Sequence, residues 1–475
     1  MKYSRRSFIS LFGKGLACTI LPAIFSGCSK TKPNIIFIMS DDHATQAISA
    51  YGRRIIRTPN IDRIAREGIR FNNCFCTNSL CAPSRAVILT GKYSHLNGVR
   101  DNAQSFDGNQ QTFPNLLQQA GYQTALVGKW HLKSQPTGFD FWNILPGQGA
   151  YFNPDMINTE GSVKYKGYVT DIITDQALGW LEKRQHDKPF CLMIQHKAPH
   201  ANWEFPEKYE NWFIETEIPE PDTFHDDYKT RSQHIKNLNL KVGRYQWQLH
   251  YQYRFGEIPN VVEEEDVKAW VYQRFIKDYL RCIASVDENV GRVLKYLDGS
   301  GLSKNTIVIY TSDQGFFLGE HGVYDKRFMY EEALRMPLLI RYPMEIQAGL
   351  VSDAMVLNLD FAATILDYAG IPVPGDIQGH SLRKLVDGKT ISDWRQSMYY
   401  RFYETAFNIG PHEGVRTRRY KLIHHLFQGE AWELFDLYQD PRELINVYEE
   451  SAYSKVADDL KVEMMRLKKM YHVVE

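Results

Sequence analysis

The chain contains few cysteines for its size and no excess of charge of either sign. Its seven cysteines are dispersed over 475 residues, so disulfides do not organise a chain of this length. Lysine plus arginine and aspartate plus glutamate each number 56, so no overall basic field would attract nucleic acid, and we expect no such partner. Internal repeats, low-complexity tracts and a glycine-rich phosphate loop are also missing, which excludes solenoids and P-loop enzymes.

Long apolar runs are confined to the N-terminus. Arg5 and Arg6 precede an apolar stretch over residues 9–25, and a small-residue site ends at Cys28. This pattern predicts an export signal over residues 1–28 that resembles a bacterial lipoprotein signal, and the arginine pair also resembles a twin-arginine signal. We expect a periplasmic or cell-surface protein, attached to the membrane through a lipidated Cys28. The alternative is a single N-terminal anchor.

The remaining sequence predicts a globular α/β protein. Hydrophobic residues make up 43% of the chain, with 28 tyrosines and 25 phenylalanines, which suffices for a sizeable core and two domains. Short apolar runs rich in β-formers predict buried strands, alternating with helical patterns, and hence a large, mainly parallel sheet flanked by helices. The runs lie at residues 35–39, 124–127, 190–194 and 306–310, and the longest helical pattern covers residues 265–297.

Two segments depart from this alternation. Residues 201 to about 264 are rich in aromatic and acidic residues and show little periodicity, so we expect a long excursion over the face that carries the site. Strand patterns at 398–402, 414–417 and 420–423, followed by a helical pattern over 454–471, predict a smaller antiparallel sheet with a helix. The predicted domains are therefore a larger one over residues 33–378 and a C-terminal subdomain over 379–475.

Polar residues follow each predicted buried strand within a few positions, which is where open α/β sheets place their ligands. The most informative motif is Cys81-Ala82-Pro83-Ser84-Arg85, in which the proline predicts a helix that begins close to residue 81. Taken alone, an Asp-Asp pair is more often a turn or a helix cap, and a lone lysine is more often a solvated charge. Five motifs occur in one order along the chain, namely Asp41-Asp42, 81–92, 129–131, 197–200 and 312–315.

In these motifs the chain resembles the type I, formylglycine-dependent sulfatases. The resemblance implies an alkaline-phosphatase-like fold and oxidation of Cys81 to formylglycine by a maturase, with a geminal diol as nucleophile. It implies that Asp41, Asp42, residue 81, Asp313 and Gln314 bind a metal. Because this set offers only oxygen ligands once Cys81 is oxidised, Ca²⁺ is the expected ion.

The resemblance also assigns the remaining catalytic residues. Arg85, Lys129 and Lys326 match the basic residues around the sulfate and the diol, where positive charge stabilises developing negative charge. His131 and His200 match the two catalytic histidines, with His200 the candidate to protonate the leaving oxygen and His131 the one to contact the diol. The expected partners are a sulfated saccharide as substrate and the formylglycine-generating maturase.

The segments 323–331 and 197–200 look most like glycosaminoglycan sulfatases of the N-acetylglucosamine-6-sulfatase kind, so we expect exo-removal of a 6-O-sulfate from heparan-type chains. His412, Arg416 and the loop near Trp203 are candidates for sugar recognition because they carry stacking or hydrogen-bonding groups. Iduronate 2-sulfate, sulfated galactose and glucosamine N-sulfate remain open as substrates. The rival functions are an alkaline-phosphatase-superfamily phosphodiesterase and a non-catalytic protein that binds sulfated glycans.

Overall fold

A large twisted sheet forms the centre of the computed structural model, which describes residues 32–52, 55–259, 262–386 and 391–474. Ten strands of these described residues build it, in the order β12-β2-β11-β8-β1-β7-β3-β4-β5-β6. In chain order they are β1 (Asn34–Ser40), β2 (Ile69–Phe75), β3 (Gln123–Lys129), β4 (Phe141–Leu145), β5 (Asp155–Asn158), β6 (Gly161–Lys164), β7 (Phe190–His196), β8 (Thr306–Ser312), β11 (Leu338–Arg341) and β12 (Leu350–Leu357). A short hairpin of β9 (Phe317–Leu318) and β10 (Tyr324–Asp325) lies apart from it.

The middle of the large sheet is parallel. β1 pairs in parallel with β7 on one side and β8 on the other, and β7 continues in parallel to β3. Every residue of β1, β7 and β8 is buried, as expected for parallel strands covered on both faces. The fold class and these buried strands, all predicted from short apolar runs, are confirmed, with β11, β5 and β6 as antiparallel additions.

Helices surround this sheet. Those of the described residues are α1 (Pro59–Arg66), α2 (Cys81–Thr90), α3 (Ser94–Asn97), α4 (Phe113–Gln119), α5 (Val169–Lys183), α6 (Gln233–Lys236), α7 (Arg244–His250), α8 (Gln252–Phe255), α9 (Glu264–Gly299), α10 (Glu331–Leu334), α11 (Asp360–Tyr368) and α12 (Ser454–Met470). The long helix predicted over 265–297 is confirmed as α9. It contacts α1 and α5 through an apolar face that runs its whole length.

The excursion over residues 201–264 contains three short helices, α6 to α8, that sequence periodicity did not predict. Large aromatic side chains hold it in place: Trp203 and Tyr251 are fully buried, and the Trp203 ring centroid lies 4.7 Å from that of Phe275 on α9. Packing against α9 therefore orders this segment, since helices this short have little stability of their own.

The C-terminal sheet has the order β13-β14-β15-β16 and is antiparallel throughout. Its strands are β13 (Ser397–Phe402), β14 (His412–Thr417), β15 (Tyr420–His425) and β16 (Ala431–Asp436). The first three and the helix α12 were predicted, whereas β16 was not. Residues 33–475 form one compact unit, and the predicted boundary at residue 379 falls between α11 and β13.

The predicted export signal over residues 1–28, with Cys28, lies outside the described residues. Within the part of the chain that the structure describes, no helix has the length and apolar character needed to cross a membrane.

Candidate active site

The carboxyl ends of four neighbouring strands deliver polar side chains to one edge of the large sheet. Asp41 and Asp42 directly follow β1, and Asp313 directly follows β8. Lys129 is the last residue of β3, and β7 leads into the loop that carries His200. Because β8, β1, β7 and β3 are adjacent and parallel, all these groups meet at the edge where ligands bind in such sheets.

Cys81 occupies the first position of α2, as predicted, and is only 1% exposed. The backbone N–H of Ala82 donates to Oδ1 of Asn102 at 3.1 Å, and the Ser84 hydroxyl donates to the Asp313 carbonyl. The helix is thereby fixed beside the carboxylates, with its positive end at residue 81. Burial raises the pKa of the Cys81 thiol, so the unmodified side chain is a neutral thiol and a poor nucleophile.

Three carboxylates converge beside residue 81. One oxygen each from Asp41, Asp42 and Asp313 lie within 4.8 Å of one another, and all three residues are at most 1% exposed. Oδ1 of Asp41 and Oε1 of Gln314 are buried without a hydrogen-bond partner among the described residues. Burial raises the pKa of Asp42 to about 6 and that of Asp313 to about 7, even though Lys326 and Arg85 respectively oppose the shift. This is an unfavourable set of carboxylates that a bound cation would stabilise.

Three basic side chains surround the carboxylates. Nη2 of Arg85 lies 3.0 Å from Oδ2 of Asp313, and Nη1 donates to Gln195 and to the Lys129 carbonyl. The Lys129 ammonium contacts Asp41, and the Lys326 ammonium lies 2.6 Å from Oδ2 of Asp42. All three are at most 4% exposed. Buried and held by several contacts, these cations are preorganised for an anion.

The two histidines occupy different positions. Nδ1 of His200 donates to the Ala201 carbonyl at 2.8 Å, which directs Nε2 toward Asp42, 3.8 Å away. A ring nitrogen of His200 also lies within 4.8 Å of the Cys81 sulfur. His131 follows β3 with a positive φ of 57°, and burial, together with Lys129, lowers its pKa to about 2. Of the two, only His200 lines the pocket.

The pocket above residue 81 has a volume of about 280 Å³. Sequence reasoning had assigned several of its lining residues no individual role: Asn102, Gln148, Leu249, His250, Asp325, Arg327 and Phe407. Asn202, by contrast, lies in the loop near Trp203 that was predicted to contact the sugar. Asp325 and Arg327 flank Lys326, so their place beside a motif lysine was the one available signal. The others lie in the 201–264 excursion or on loops without a motif.

Two of the three sugar-recognition candidates require correction. His412 is fully buried among Phe328, Phe402 and His425 on the C-terminal sheet, and it does not line the pocket. Arg416 pairs with Glu331 at 3.1 Å, also away from the pocket. Trp203 and its neighbour Asn202 do line the pocket, with the Trp203 ring packed into the core of the excursion, so the role of this loop in sugar recognition stays a prediction. His412 and Arg416 face the interior because the pleat of β14 turns their side chains into the packed side of the small sheet.

Comparison with known families identifies the class of protein. A family model described as Sulfatase matches residues 33–371. A second model, described as N-sulphoglucosamine sulphohydrolase, C-terminal, matches residues 319–470. The chain therefore belongs to the sulfatase family and is a sulfuric ester hydrolase, which confirms the resemblance seen in its motifs.

The chain is also similar to individual proteins of known activity or structure. The chain is 46% identical over 484 residues to an N-acetylglucosamine-6-O-sulfatase of Bacteroides thetaiotaomicron, covering 93% of this chain and 87% of the relative. A solved structure of a protein in complex with its substrate D-glucosamine-2-N,6-O-disulfate superposes with a TM-score of 0.89 and 45% identity, over 93% of this chain and 98% of the other. The phosphonate monoester hydrolase of Agrobacterium radiobacter, at 21% identity, shares the fold with a TM-score of 0.77, over 93% and 96% of the two chains.

Proposed function

We propose that the protein removes the 6-O-sulfate from a terminal N-acetylglucosamine of heparan-type glycosaminoglycan, with formylglycine at position 81 as nucleophile. The observation that carries this proposal is residue 81 at a helix N-terminus, buried within 4.8 Å of Asp41 and His200. The neutral thiol encoded by the gene is a poor nucleophile in this position. Oxidation to an aldehyde, which hydrates to a diol, would supply a nucleophilic oxygen and a second hydroxyl for expelling sulfate.

Ca²⁺ fits the oxygen set beside residue 81. The donors are the carboxylates of Asp41, Asp42 and Asp313 with the amide of Gln314. Oδ1 of Asp41 and Oε1 of Gln314 are buried without a hydrogen-bond partner among the described residues. Hard oxygen ligands without imidazole or thiolate favour Ca²⁺ over Zn²⁺. When bound, the ion would supply positive charge to the nucleophile and to a sulfate oxygen.

The cationic side chains are proposed to bind and orient the sulfate group. Arg85 cannot swing away because Asp313 and Gln195 hold its guanidinium from two directions. Lys129 and Lys326 lie far apart in the sequence, yet both contact the carboxylates and keep their charge close to residue 81. Fixed donors of this kind stabilise charge that develops in the transition state without having to reorient.

His200 is proposed as the general acid. Its Nδ1–H is committed to the Ala201 carbonyl, so Nε2 is the nitrogen that faces the pocket. Burial and the neighbouring Lys129 lower the pKa of free His200, whereas a bound sulfate would add the negative charge that favours its protonated form. In that form Nε2–H can donate its proton to the leaving sugar oxygen.

Replacing His200 with alanine is expected to slow hydrolysis of an alkyl sugar sulfate by about 10²- to 10⁴-fold, because the alkoxide would leave without a proton. Hydrolysis of 4-nitrophenyl sulfate should fall far less, since its leaving group needs little protonation. The measurement is kcat on both substrates, with His472→Ala, an exposed histidine, as the matched control. Equal losses on both substrates would remove the general-acid role from His200.

The choice of sugar rests on relatives and on the pocket. The 46% identical relative is an N-acetylglucosamine-6-O-sulfatase, and the protein in the 45% identical structure takes D-glucosamine-2-N,6-O-disulfate as substrate. Around the sulfate site, Asn102, Asp325 and Arg327 line the pocket with groups that can hydrogen-bond sugar hydroxyls. The C-terminal family model is named for N-sulphoglucosamine sulphohydrolase, which makes glucosamine N-sulfate the alternative substrate with an observation behind it.

A panel of defined saccharides is expected to separate these substrates. The wild-type enzyme should release sulfate from N-acetylglucosamine 6-sulfate, with kcat/KM at least about 10²-fold above that for glucosamine N-sulfate, iduronate 2-sulfate and galactose sulfates. The physical reason is that buried polar groups matched to one sugar are left unpaired by another. Sulfate release and residual saccharide are measured by chromatography. Cleavage of another member, without cleavage of the 6-sulfate, would overturn the substrate and leave the sulfatase assignment intact.

We further propose that the protein is exported as a bacterial lipoprotein anchored through Cys28, and that a maturase oxidises Cys81 before folding is complete. The second point is supported by the burial of the whole motif, since Cys81, Ala82, Ser84 and Arg85 are at most 2% exposed and Pro83 is also buried. The proposed division is a catalytic domain over 33–378 with a C-terminal subdomain over 379–475. A phosphodiesterase or a purely binding protein fits less well, because Cys81, Arg85 and His200 are all present.

A further inference from the structure

The pocket above residue 81 is small relative to a glycosaminoglycan chain. Its volume of about 280 Å³ is at the lower end of the range for small-molecule sites, enough for about one sugar unit with its sulfate. The neighbouring sugar of the same chain must therefore lie outside the pocket, over its rim. Which side of the rim receives that sugar is decided by the side chains exposed there.

One side of the rim is unusually apolar. Leu249, on α7, lines the pocket and is nevertheless 43% exposed. Tyr245 lies one helical turn before it on α7 and is 41% exposed, while Tyr253 lies on α8, beyond the break at Tyr251, and is 61% exposed. We call Tyr245, Leu249 and Tyr253 the rim stripe. Exposed apolar groups that continue from a pocket mark a binding surface more often than scattered single ones do.

Hydrogen bonds connect the rim stripe to the pocket wall. The Tyr253 hydroxyl donates to Oε1 of Glu204 at 2.7 Å and accepts from Nδ2 of Asn202 at 3.4 Å. Oδ1 of Asn202 lies 2.8 Å from Nδ1 of His250, and both residues line the pocket. The stripe is thus held in a fixed relation to the pocket, because hydrogen bonds tie its outer end to the wall.

A positive charge accompanies the rim stripe. The guanidinium of Arg254 lies 5.4 Å from the ring centroid of Tyr253. It donates to the backbone carbonyls of Asn202 and His250, and the neighbouring Asp278 carboxylate is already paired with Arg274 and Arg281, so the charge of Arg254 is only partly offset. An apolar ring surface beside such a charge suits a ligand that combines C–H faces with anionic groups.

We infer that the rim stripe is a binding site for the sugar unit adjoining the sulfated residue in an anionic glycan chain. This inference rests on the proposed function, since it extends the same site by one sugar. Pyranose rings carry polar hydroxyl edges and apolar C–H faces, and those faces pack on tyrosine rings and on leucine. Arg254 attracts the sulfate or carboxylate of that second sugar. The enzyme therefore binds chains more tightly than single sugars.

The test compares two substrates that share one reacting residue: N-acetylglucosamine 6-sulfate, and a heparan tetrasaccharide with that residue at its non-reducing end. For the wild type we expect kcat/KM to be about five- to tenfold higher on the tetrasaccharide, mainly through a lower KM, because a partly exposed apolar contact contributes a modest amount of binding free energy. Tyr245→Ala and Tyr253→Ala should bring this ratio toward one. Tyr253→Phe, which keeps the ring but removes the hydrogen bonds to Glu204 and Asn202, should lower the ratio less than Tyr253→Ala does. Tyr438→Ala, at a 61% exposed tyrosine on the C-terminal side, should preserve it.

The outcomes are distinguishable. A wild-type ratio near one, or a ratio that both alanine variants leave unchanged at unaltered melting temperature, overturns the inference while the monosaccharide rate upholds the proposed function. If the stripe instead joins two copies of the chain, sedimentation will show a dimer that Tyr245→Ala dissociates, with the ratio unchanged, and the inference again fails. If the wild type hydrolyses neither substrate, the proposed function itself is wrong and the inference is overturned with it.

Discussion

Replacing Cys81 with alanine is expected to lower kcat by about 10⁵-fold or more, because the change removes the proposed nucleophile. The fold should survive, since the substitution deletes one buried sulfur atom and leaves the contacts of Ala82 and Ser84 that fix the start of α2. Sulfate release and the melting temperature are measured together. Cys191→Ala, which deletes a buried sulfur in β7, is the matched control and should keep activity.

Mass spectrometry of the peptide that contains residue 81 gives an independent result. Protein made together with a maturase should carry a side chain that has lost sulfur and two hydrogens and gained one oxygen. Cys81→Ser is also informative, because one hydroxyl can be sulfated but offers no second hydroxyl for expelling sulfate. Full activity of protein whose residue 81 is still a thiol would contradict the proposed nucleophile.

Replacing Asp313 with alanine is expected to lower kcat by about 100-fold or more and to weaken Ca²⁺ binding. In the proposed site the Asp313 carboxylate would help to hold the ion, and its Oδ2 lies 3.0 Å from Nη2 of Arg85. One substitution would therefore remove a metal ligand and release a sulfate-binding cation. Asp313→Asn, which keeps a carbonyl oxygen of the same reach, should lose less.

Metal content and activity are measured before and after chelation and dialysis, and again after Ca²⁺ is restored. Asp459→Ala, at a 66% exposed carboxylate on α12, is the control and should behave as the wild type does. If chelated and dialysed Asp313→Ala kept the full wild-type rate, the assignment of Asp313 as a metal ligand would be wrong.

The sequence predicted those site residues that follow recognisable strands and missed those that lie on loops or short helices. Asp41, Asp42 and Asp313 come together because they directly follow strands that appear in the sequence as short apolar runs, and adjacent parallel strands end at one edge of the sheet. Asn102, Gln148 and His250 reach the same pocket from loops or from short helices in the excursion. Their positions depend on packing against distant segments, which leaves no local periodicity in the sequence.

His412 illustrates the opposite error. A histidine on a predicted C-terminal strand offered the right chemistry for a sugar hydroxyl, and the strand itself was predicted correctly as β14. Which way the side chain points depends on strand register, because a shift of one residue turns it to the other face. In the structure His412 pairs with Phe402 and His425 on its neighbouring strands and is fully buried among aromatic rings.

The sequence by itself determined the class of fold, the motif at 81–85, the carboxylates and cations that meet at the sheet edge, and the family. These features are written locally, as apolar runs, strand-end polar residues and short motifs whose order along the chain is fixed. Only the tertiary structure decided the volume of the pocket, the residues that form its walls, the burial of His412 and Arg416, and the exposure of the rim stripe. Those features arise where segments far apart in the chain pack together, and such contacts depend on residues from several segments at once. No local sequence pattern therefore predicts them.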